Sequence, residues 1–297
     1  MAGDAYAQVA ADLIAMMREG VAPWRSPWIR GLNDPLAPHN PETGNYYRGV
    51  NRWNLSAVLY RNGWEDPRFV TYAGAKRKGG NVREGEQSPA RVIFAKAVTK
   101  APKDDAGEDA KADRFYIHRT TAVFHISQVE GVEWDALPNA DDFAGWDPVE
   151  DAAHLATSYL EAEGIPLTHG GDRAYYSPAT DAIRMPLREA FPSAVEYYGT
   201  LFHEIAHSTG HDSRLARKFG ESFGSDPYAR EELTAEIAAA MLTVTAGLPV
   251  DTLPNSAAYL RGWADRLEDD PRILVTAANA AERAAEYVAE RVPDRVA

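Results

Sequence analysis

The stretch His203-Glu204-Ile205-Ala206-His207 constrains this chain more than any other feature of its sequence. It has the H-E-x-x-H pattern of a zincin site, in which two histidines four residues apart on a helix bind one metal ion. Glu204 directly follows His203, where its carboxylate can take a proton from a metal-bound water. The alternative is that both histidines pack against the core and bind nothing. Two histidines at this spacing around a glutamate favour the metal site.

Apolar residues recur around the motif with the period of a helix. Ser193 is the expected N-cap, and Gly210 is the expected left-handed residue that ends the helix. His203 and His207 then lie on a face beside the buried stripe. The residues expected in that stripe are Tyr198, Leu201, Phe202 and Ile205.

A catalytic zinc needs a third protein ligand and one open position. The next predicted helix opens at Asp226-Pro227 and contains Glu231, Glu232 and Glu236. Glu232 and Glu236 share a face at the edge of the apolar stripe, whereas Glu231 points the other way. We therefore predict Glu232 as the third ligand, and Glu236 as a residue that orients a ligand histidine or binds the metal itself. Without the upstream motif, these acids would be interpreted as a solvated helix N-terminus.

His211 is a further candidate near the metal. In the metzincin pattern H-E-x-x-H-x-x-G-x-x-H, the last histidine is a ligand that follows a glycine turn. Here Gly210 occupies the glycine position, but His211 follows it at once, two residues too early. His211 is therefore expected to contact a ligand residue or the substrate, with metal binding as the less favoured alternative. Zinc is the predicted metal, and manganese is the alternative.

The net charge of −13 is divided unequally along the 297 residues. Residues 1–130 contain 18 Lys and Arg against 15 Asp and Glu, whereas residues 131–297 contain 13 against 29. This division predicts different partners for the two halves. The absence of cysteine excludes disulfides and Cys-bound metals. Because no apolar run has the length of a membrane span and the N-terminus lacks the basic start and apolar segment of a signal peptide, we expect a cytoplasmic protein without membrane contact.

The order of the predicted elements indicates an α+β chain of two domains. Residues 1–130 are expected to form an α+β domain with helices at 4–19 and 51–61 and strands at 68–72, 90–98 and 115–126. Residues 131–147 contain Pro, Asp and Gly with little periodicity and form the predicted linker. Residues 148–297 are expected to form a mostly helical zincin-like domain with a small antiparallel sheet, a hairpin at 173–185. Residues 100–113 are interpreted as a loop between strands.

Aromatic and basic side chains are interleaved within residues 44–91, the mixture that binds single-stranded nucleic acid. Residues 44–100 contain 11 Lys and Arg against 4 Asp and Glu. Gly79 and Gly80, directly after three cations, predict a loop whose N–H groups approach phosphates. The pattern does not distinguish DNA from RNA, and the alternative is that the rings are core and the cations ordinary surface. The predicted contact residues are Tyr47, Arg48, Asn51, Trp53, Lys76, Arg77, Lys78 and Arg83.

Several short motifs occur in one order along nearly the whole chain. In the first half they are Trp24-Arg25-Ser26-Pro27-Trp28, Tyr47-Arg48-Gly49-Val50-Asn51, Gly79-Gly80-Asn81-Val82-Arg83-Glu84-Gly85-Glu86 and Phe124-His125-Ile126-Ser127-Gln128-Val129-Glu130-Gly131. In the second half they are Tyr198-Gly199-Thr200-Leu201, Ser208-Thr209-Gly210-His211 and Tyr228-Ala229-Arg230-Glu231-Glu232-Leu233. With these motifs the chain resembles the ArdC antirestriction proteins of conjugative plasmids.

The resemblance implies an N-terminal domain that binds single-stranded DNA, also found at the start of plasmid-transferred primases, and a C-terminal zincin-like metallopeptidase domain. It further implies that the protein protects incoming plasmid DNA from host restriction during conjugation, with single-stranded DNA and a protein substrate, such as a host restriction enzyme, as partners. One alternative is a protein that binds single-stranded DNA and whose metal site is structural or vestigial. A peptidase without a nucleic-acid role is another. A metal-dependent nuclease is disfavoured, because nucleases gather carboxylates around magnesium or paired metals.

Overall fold

A computed structural model describes most of the chain. The described residues are 2–23, 32, 34, 36–100, 113–137, 148–218, 226–250 and 257–293. The tryptophan motif at 24–28, most of the predicted loop at 100–113 and residues 138–147 of the predicted linker lie outside them. None of the helices in these ranges has the length and apolar character that crossing a membrane requires.

Helices and strands are mixed in the first half of the chain. They are α1 (Ala2–Arg18), α2 (Val50–Asn62), β1 (Phe69–Thr71), α3 (Tyr72–Arg77), β2 (Asn81–Val82), β3 (Ala90–Lys100), β4 (Asp113–His125) and β5 (Val129–Glu130). β4 lies between β1 and β3 in an antiparallel sheet, and β2 pairs with β5 in a second, two-stranded ladder. The helix α3 and the ladder were not predicted from the sequence.

Asn51 fixes α2 against the edge strand β3. Its amide nitrogen donates to the carbonyl of Ile93, and its amide oxygen accepts from the N–H of Ile93, each at 2.8 Å. Because these are the groups that an edge strand leaves unpaired, one side chain substitutes for part of a neighbouring strand. Behind this contact, Leu55 of α2 packs with Phe69 and Val92 of the sheet in one buried cluster.

The second half is mostly helical. Its elements are α4 (Pro148–Glu163), β6 (Leu167–His169), β7 (Tyr175–Ser177), β8 (Ala182–Met185), α5 (Ala194–Ser208), α6 (Asp226–Thr245), α7 (Ala257–Asp269) and α8 (Arg272–Ala289). β7 and β8 form the predicted antiparallel hairpin, and β6 joins β8 on its other side as a parallel strand. The predicted α+β class with two domains is confirmed, and β6 is an addition to the predicted sheet.

The helix α6 is central and contacts both α5 and α8. Its predicted stripe is buried, with Leu233 and Met241 both 0% exposed, but Ala235, Ala238 and Leu242 on other sides are also 0% exposed. A helix that is buried nearly all round presents little surface to solvent. Acids on any side of α6 therefore meet other parts of the protein.

The two halves share one hydrophobic cluster. Val9, Leu13 and Met17 of α1 belong to the same buried cluster as the residues of α5, α6 and α8, and α1 contacts α7, α2 and α8. A polar contact accompanies this packing, because Glu282 of α8 lies 3.3 Å from the guanidinium of Arg52 and both side chains are buried. The domain boundaries stay a prediction, and the core extends across them.

Candidate metal centre

The helix α5 carries the H-E-x-x-H motif and begins where the sequence predicts. Ser193 is its N-cap, and the hydroxyl of Ser193 accepts from the N–H of Glu196 at 3.2 Å. The predicted stripe at Tyr198, Leu201, Phe202 and Ile205 is buried, with no exposure above 5%. This packing fixes the backbone of α5, and with it the positions from which the half-buried side chains of His203 and His207 extend.

The end of α5 differs from the prediction at Gly210. Thr209 is the C-cap with φ −60°, and the N–H of Gly210 donates to the carbonyl of His207 at 2.8 Å. The positive φ occurs instead at Ala216, where φ is +48°. The chain therefore continues past Gly210 in tight turns that remain close to α5, and does not leave through a left-handed glycine.

The three residues predicted as metal ligands lie together between α5 and α6. The Nε2 atoms of His203 and His207 are 3.1 Å apart. Glu232 places Oε1 3.5 Å from Nε2 of His207 and Oε2 3.8 Å from Nε2 of His203. One donor atom from each residue lies within 4.8 Å of the others. A tetrahedral ion with bonds of about 2.0–2.2 Å separates its ligands by roughly 3.3 Å, so these donors suit one ion.

Glu231 orients His207, a role that the sequence interpretation gave to Glu236. An oxygen of Glu231 lies 3.2 Å from Nδ1 of His207, and the Glu231 side chain is buried. Arg217 donates to both oxygens of Glu231, at 2.9 and 2.8 Å, and also to the carbonyl of Ala206 in α5 at 2.7 Å. Glu231 was expected to point away, but on a central helix that direction leads to Arg217. An arginine in the turns after the motif, facing an acidic pair, was the signal that sequence reasoning missed.

The other two candidates near the metal occupy different positions. Glu236 has Oε1 4.0 Å from Nδ1 of His203, which is longer than a hydrogen bond. The ring of His211 lies in the turns after α5, where its Nδ1 contacts the hydroxyl of Ser213 at 2.8 Å. The donor group formed by His203, His207 and Glu232 includes neither Glu236 nor His211.

Glu204 lies beside the donor group in an open cleft of about 380 Å³. Its Oε2 accepts from the N–H of Tyr176 in β7 at 2.7 Å, so a strand of the small sheet fixes the direction of the carboxylate. The same cleft is lined by Tyr175 and Pro178 from the hairpin, and by Tyr228 from the first turn of α6.

Burial is the strongest influence on the acidity of the two carboxyls that face this cleft. It raises the pKa of Glu204, against the opposing effects of His207 and the N–H of Tyr176. It also raises the pKa of Glu232, although the charge of His207 and a hydrogen bond from Tyr228 act in the other direction. A carboxyl with a raised pKa takes up a proton more readily than an exposed one.

Three of the residues predicted to contact nucleic acid are part of the protein interior. Tyr47 is 5% exposed and donates to the carbonyl of Phe69 at 3.0 Å. Trp53 is also 5% exposed and belongs to the shared cluster, and Asn51 is held by β3 as described above. These residues do not offer a ring face or an amide to a base, so we remove them from the predicted nucleic-acid surface.

The five predicted cations are on the surface. Arg48, Arg77 and Arg83 form ion pairs with Glu286, Glu42 and Glu86, respectively. Lys76 and Lys78 are exposed on α3 and directly after it. Tyr72, which was not among the predicted contacts, is 54% exposed on the same helix, and the ammonium of Lys76 lies 5.9 Å from the centroid of its ring. An exposed ring beside cations was present in the sequence pattern but was not distinguished from the buried rings.

Two protein-family models match the chain. Residues 3–124 match the N-terminal domain of anti-restriction factor ArdC, and residues 154–280 match a zincin-like metallopeptidase. Curated relatives include two DNA primases TraC of Escherichia coli, 37% identical over 94% of this chain and 38% identical over 95% of it. The chain spans only 19% and 27% of the lengths of those primases.

Full-length similarity is found with smaller proteins. The protein y4eC of Sinorhizobium fredii is 33% identical over 96% of this chain and 91% of its own length. Crystal structures of the antirestriction protein ArdC from plasmid R388 are 31% identical. The metal-free form has a TM-score of 0.71 and covers 97% of both chains. The Mn(II)-bound form has a TM-score of 0.72 and covers 98% of this chain and 99% of the other. With both family models matched in the same order, this chain belongs to the ArdC family of antirestriction proteins.

Proposed function

We propose that this protein acts in the cytoplasm to protect incoming plasmid DNA from host restriction during conjugation, and that it combines binding of single-stranded DNA with a zinc-dependent metallopeptidase activity. The observation that carries the peptidase part is the group of His203, His207 and Glu232 with Glu204 beside it in an open cleft. Membership of the ArdC family supports the antirestriction part.

The donor set fits a divalent metal ion. His203, His207 and Glu232 would hold it, with two imidazole nitrogens and one carboxylate oxygen, a combination typical of catalytic zinc. Manganese is the alternative, since the R388 relative was crystallised with Mn(II). When bound, the metal polarises a water molecule and a substrate carbonyl. The carbonyl is that of a protein substrate, for which a host restriction enzyme is our candidate.

Glu204 is the proposed general base. One oxygen of its carboxylate is occupied by the N–H of Tyr176, so the other oxygen is the one that takes a proton. Burial raises its pKa, which suits a group that must hold this proton until a leaving amine accepts it. Tyr228 lines the cleft and is our candidate donor to a developing oxyanion.

The test is Glu204→Gln in the full chain. Metal affinity, measured by competition with a coloured chelator, should remain within a few-fold of the wild type, because Glu204 is not a ligand in this proposal. Cleavage of a quenched-fluorescent peptide library should fall by at least about 100-fold, the usual contribution of a general base. Cleavage at the wild-type rate by the Gln variant would reject the assignment of Glu204.

The same variant separates the proposal from its rival, a DNA-binding protein with a structural or vestigial site. Survival of unmodified plasmid DNA after conjugation into a restricting recipient is compared for wild type and Glu204→Gln. The peptidase proposal expects loss of protection in the variant. Full protection would favour the rival.

The proposed DNA surface is centred on α3. The exposed residues there or directly after it are Tyr72, Lys76, Arg77 and Lys78. Arg83, also exposed, directly follows β2. Cations contact phosphates and an exposed ring stacks on an unpaired base. Fluorescence anisotropy of labelled single- and double-stranded oligonucleotides with the full chain should show a preference for single strands that weakens with salt. Absence of binding to either would reject this half of the proposal.

A further inference from the structure

A second cleft lies behind Glu231, on the side of α6 that faces α8. Its volume is about 270 Å³. Four cationic side chains line it: Arg217 and Lys218 from the turns after α5, Arg230 from the first turns of α6, and Arg283 from α8. The hydroxyl-bearing side chains of Thr234 and Thr276 complete the polar lining. No function has been assigned above to this group.

The concentration of positive charge is unusual for this part of the chain. Residues 131–297 contain 13 Lys and Arg against 29 Asp and Glu, yet the described residues that line the cleft include four cations and one acid, Glu231. That acid is already held by Arg217 and His207. Charges of one sign gathered in a cleft focus the field and attract an ion of the opposite sign.

Three of the four cations are available to a ligand. Lys218, Arg230 and Arg283 are exposed. Within the described ranges, the side chains of these three residues form no ion pair or hydrogen bond. Arg272 donates to Asp270 at 2.8 Å and lowers the pKa of that carboxyl, to which the charge of Arg230 makes only a small contribution. Among the described residues, the cleft therefore carries a net positive charge that neighbouring side chains do not neutralise.

The chemistry of the lining fits a phosphate group. Guanidinium groups bind phosphate oxygens with paired, charge-assisted hydrogen bonds. The cleft also lies beside the first turns of α6, where the positive end of the helix dipole favours an anion. The volume of about 270 Å³ is sufficient for a phosphate group.

The cleft is next to the place where the two halves meet. On α8, Glu282 contacts the first half through Arg52, and Glu286 does so through Arg48, a predicted DNA contact. Arg283 follows Glu282 directly, so its side chain is turned by about 100° around the same helix. A strand held at Arg48 would have to cross the surface of α8 to reach the cleft.

We propose that this cleft binds a backbone phosphate of the single-stranded DNA held by the first half, and that it extends the DNA surface into the acidic second half. The proposal rests on the proposed DNA binding of the full chain. The phosphate could belong to a DNA strand or be a free phosphate ion. The strand is favoured because Arg283 in the cleft lies one helical turn from Glu286, the partner of Arg48.

The test compares two double variants of the full chain that change the net charge equally. The cleft variant is Arg230→Ala with Arg283→Ala. The control is Arg173→Ala with Arg261→Ala, which removes two exposed arginines of the same half that do not line the cleft. Far-UV circular dichroism and thermal unfolding establish that both are folded. Binding of a labelled single-stranded oligonucleotide is then measured by anisotropy over a series of salt concentrations.

The cleft variant should bind about 10-fold more weakly, and the slope of log K against log salt should fall by about 0.7, the contribution of one phosphate contact on a single strand. The control should keep the wild-type slope. Equal slopes in the cleft variant and the wild type, or equal losses in both variants, would overturn the proposal. A wild-type chain that binds no DNA would instead reject the proposed function itself.

A second measurement distinguishes the source of the phosphate. Inorganic phosphate is added to the wild type and to the cleft variant, and the shift in Tm is recorded. A stabilisation of the wild type alone, together with a reduced DNA slope in the cleft variant, supports the strand as the ligand. The same stabilisation with an unchanged DNA slope identifies a site for free phosphate and overturns the proposal.

Discussion

Glu231 and Glu232 are neighbours in sequence, but their environments shift the pKa values of their carboxyls in opposite directions. Burial is the largest influence on Glu231, yet hydrogen bonds from Arg217 and His207 outweigh it and hold its pKa below the usual value. Glu232 lacks such an arginine, and burial raises its pKa. Glu231 therefore remains anionic and accepts from Nδ1 of His207, so Nε2 is the ring nitrogen that would bind a metal ion.

Replacement of Glu231 by Gln should weaken metal binding by about 10-fold or more, as is typical when the acceptor behind a ligand histidine is altered. Glu236→Gln is the matched comparison and should have a smaller effect, because Glu236 lies 4.0 Å from Nδ1 of His203 whereas Glu231 lies 3.2 Å from Nδ1 of His207. Zinc or manganese affinity is measured by chelator competition on both full-length variants. A larger loss in Glu236→Gln would contradict the assignment.

Tyr72 provides a second prediction for a single residue. Its ring is 54% exposed beside Lys76, and stacking of one base on such a ring contributes about 1–3 kcal/mol. Tyr72→Ala should therefore weaken binding of single-stranded DNA by about 10-fold. Tyr60 is similarly exposed, at 57%, on α2, and Tyr60→Ala serves as the control with little expected change. The idea fails if both variants lose the same affinity.

At the level of elements, local signals predicted α5 well and long-range packing decided the rest. The cap at Ser193, the apolar stripe and the motif all lie within one helix, so its start and its buried face could be derived from the sequence. The role of Glu231 could not be derived in this way, because it depends on Arg217. The turns after α5 place that arginine beside Glu231. Tyr47 and Trp53 have the spacing of a stacking surface, but burial against other elements excludes that role.

His125 connects β4 to the turn that follows, and its neutral form suits the contacts there. Its Nε2 lies 2.7 Å from the carbonyl of Asp66 and therefore donates, while its Nδ1 accepts from the N–H of Ser127 at 3.2 Å. Trp64 stacks on the ring with centroids 4.2 Å apart. A second proton would have to sit on Nδ1, where the N–H of Ser127 already points.

This arrangement makes a pH-dependent contribution to stability. Burial lowers the pKa of His125 below the usual 6.5, against the opposing effect of Asp66. As pH falls through about 6.5, the unfolded chain takes up the proton first. The stability that depends on neutral His125 is therefore present above that pH, and it declines as pH falls towards the lower pKa of the folded state.

His125→Gln removes this titration and tests the argument. The free energy of unfolding in urea is measured for the wild type and the variant at about pH 7.5 and about pH 5, on either side of the usual histidine pKa. The advantage of the wild type over the variant should be larger at the higher pH. A difference between the two proteins that does not change with pH would show that His125 does not titrate as proposed.

For the molecule as a whole, the distribution of charge along the sequence suggests a division that the hydrophobic core does not follow. The charge changes sign near residue 130, which favoured two separate domains. The hydrophobic cluster instead joins α1 to α6, α7 and α8. Periodicity identifies the apolar face of α1 but not the helices that cover it, since α6, α7 and α8 are more than 200 residues away. A cut near residue 130 would expose that face, so DNA binding and metal binding are best measured on the full chain.

Gly49 lies where the two halves meet, and it gives the sharpest test of this shared structure. Its φ is +55° and ψ is −137°, a conformation that is essentially restricted to glycine. A Cβ atom at this position would lie 1.7 Å from the Oδ1 of Asn279 in α8 and 3.5 Å from its Cα. Gly49→Ala should therefore lower the free energy of unfolding by about 3 kcal/mol or more, from backbone strain and overpacking together.

Gly63 ends α2 with φ +63° and ψ 29°, and a Cβ there meets nothing within 4 Å. Gly63→Ala should cost only about 1–2 kcal/mol, the penalty of a left-handed conformation. Urea unfolding of both full-length variants, followed by circular dichroism, compares them directly, and equal losses would mean that the contact between Gly49 and α8 does not contribute to stability.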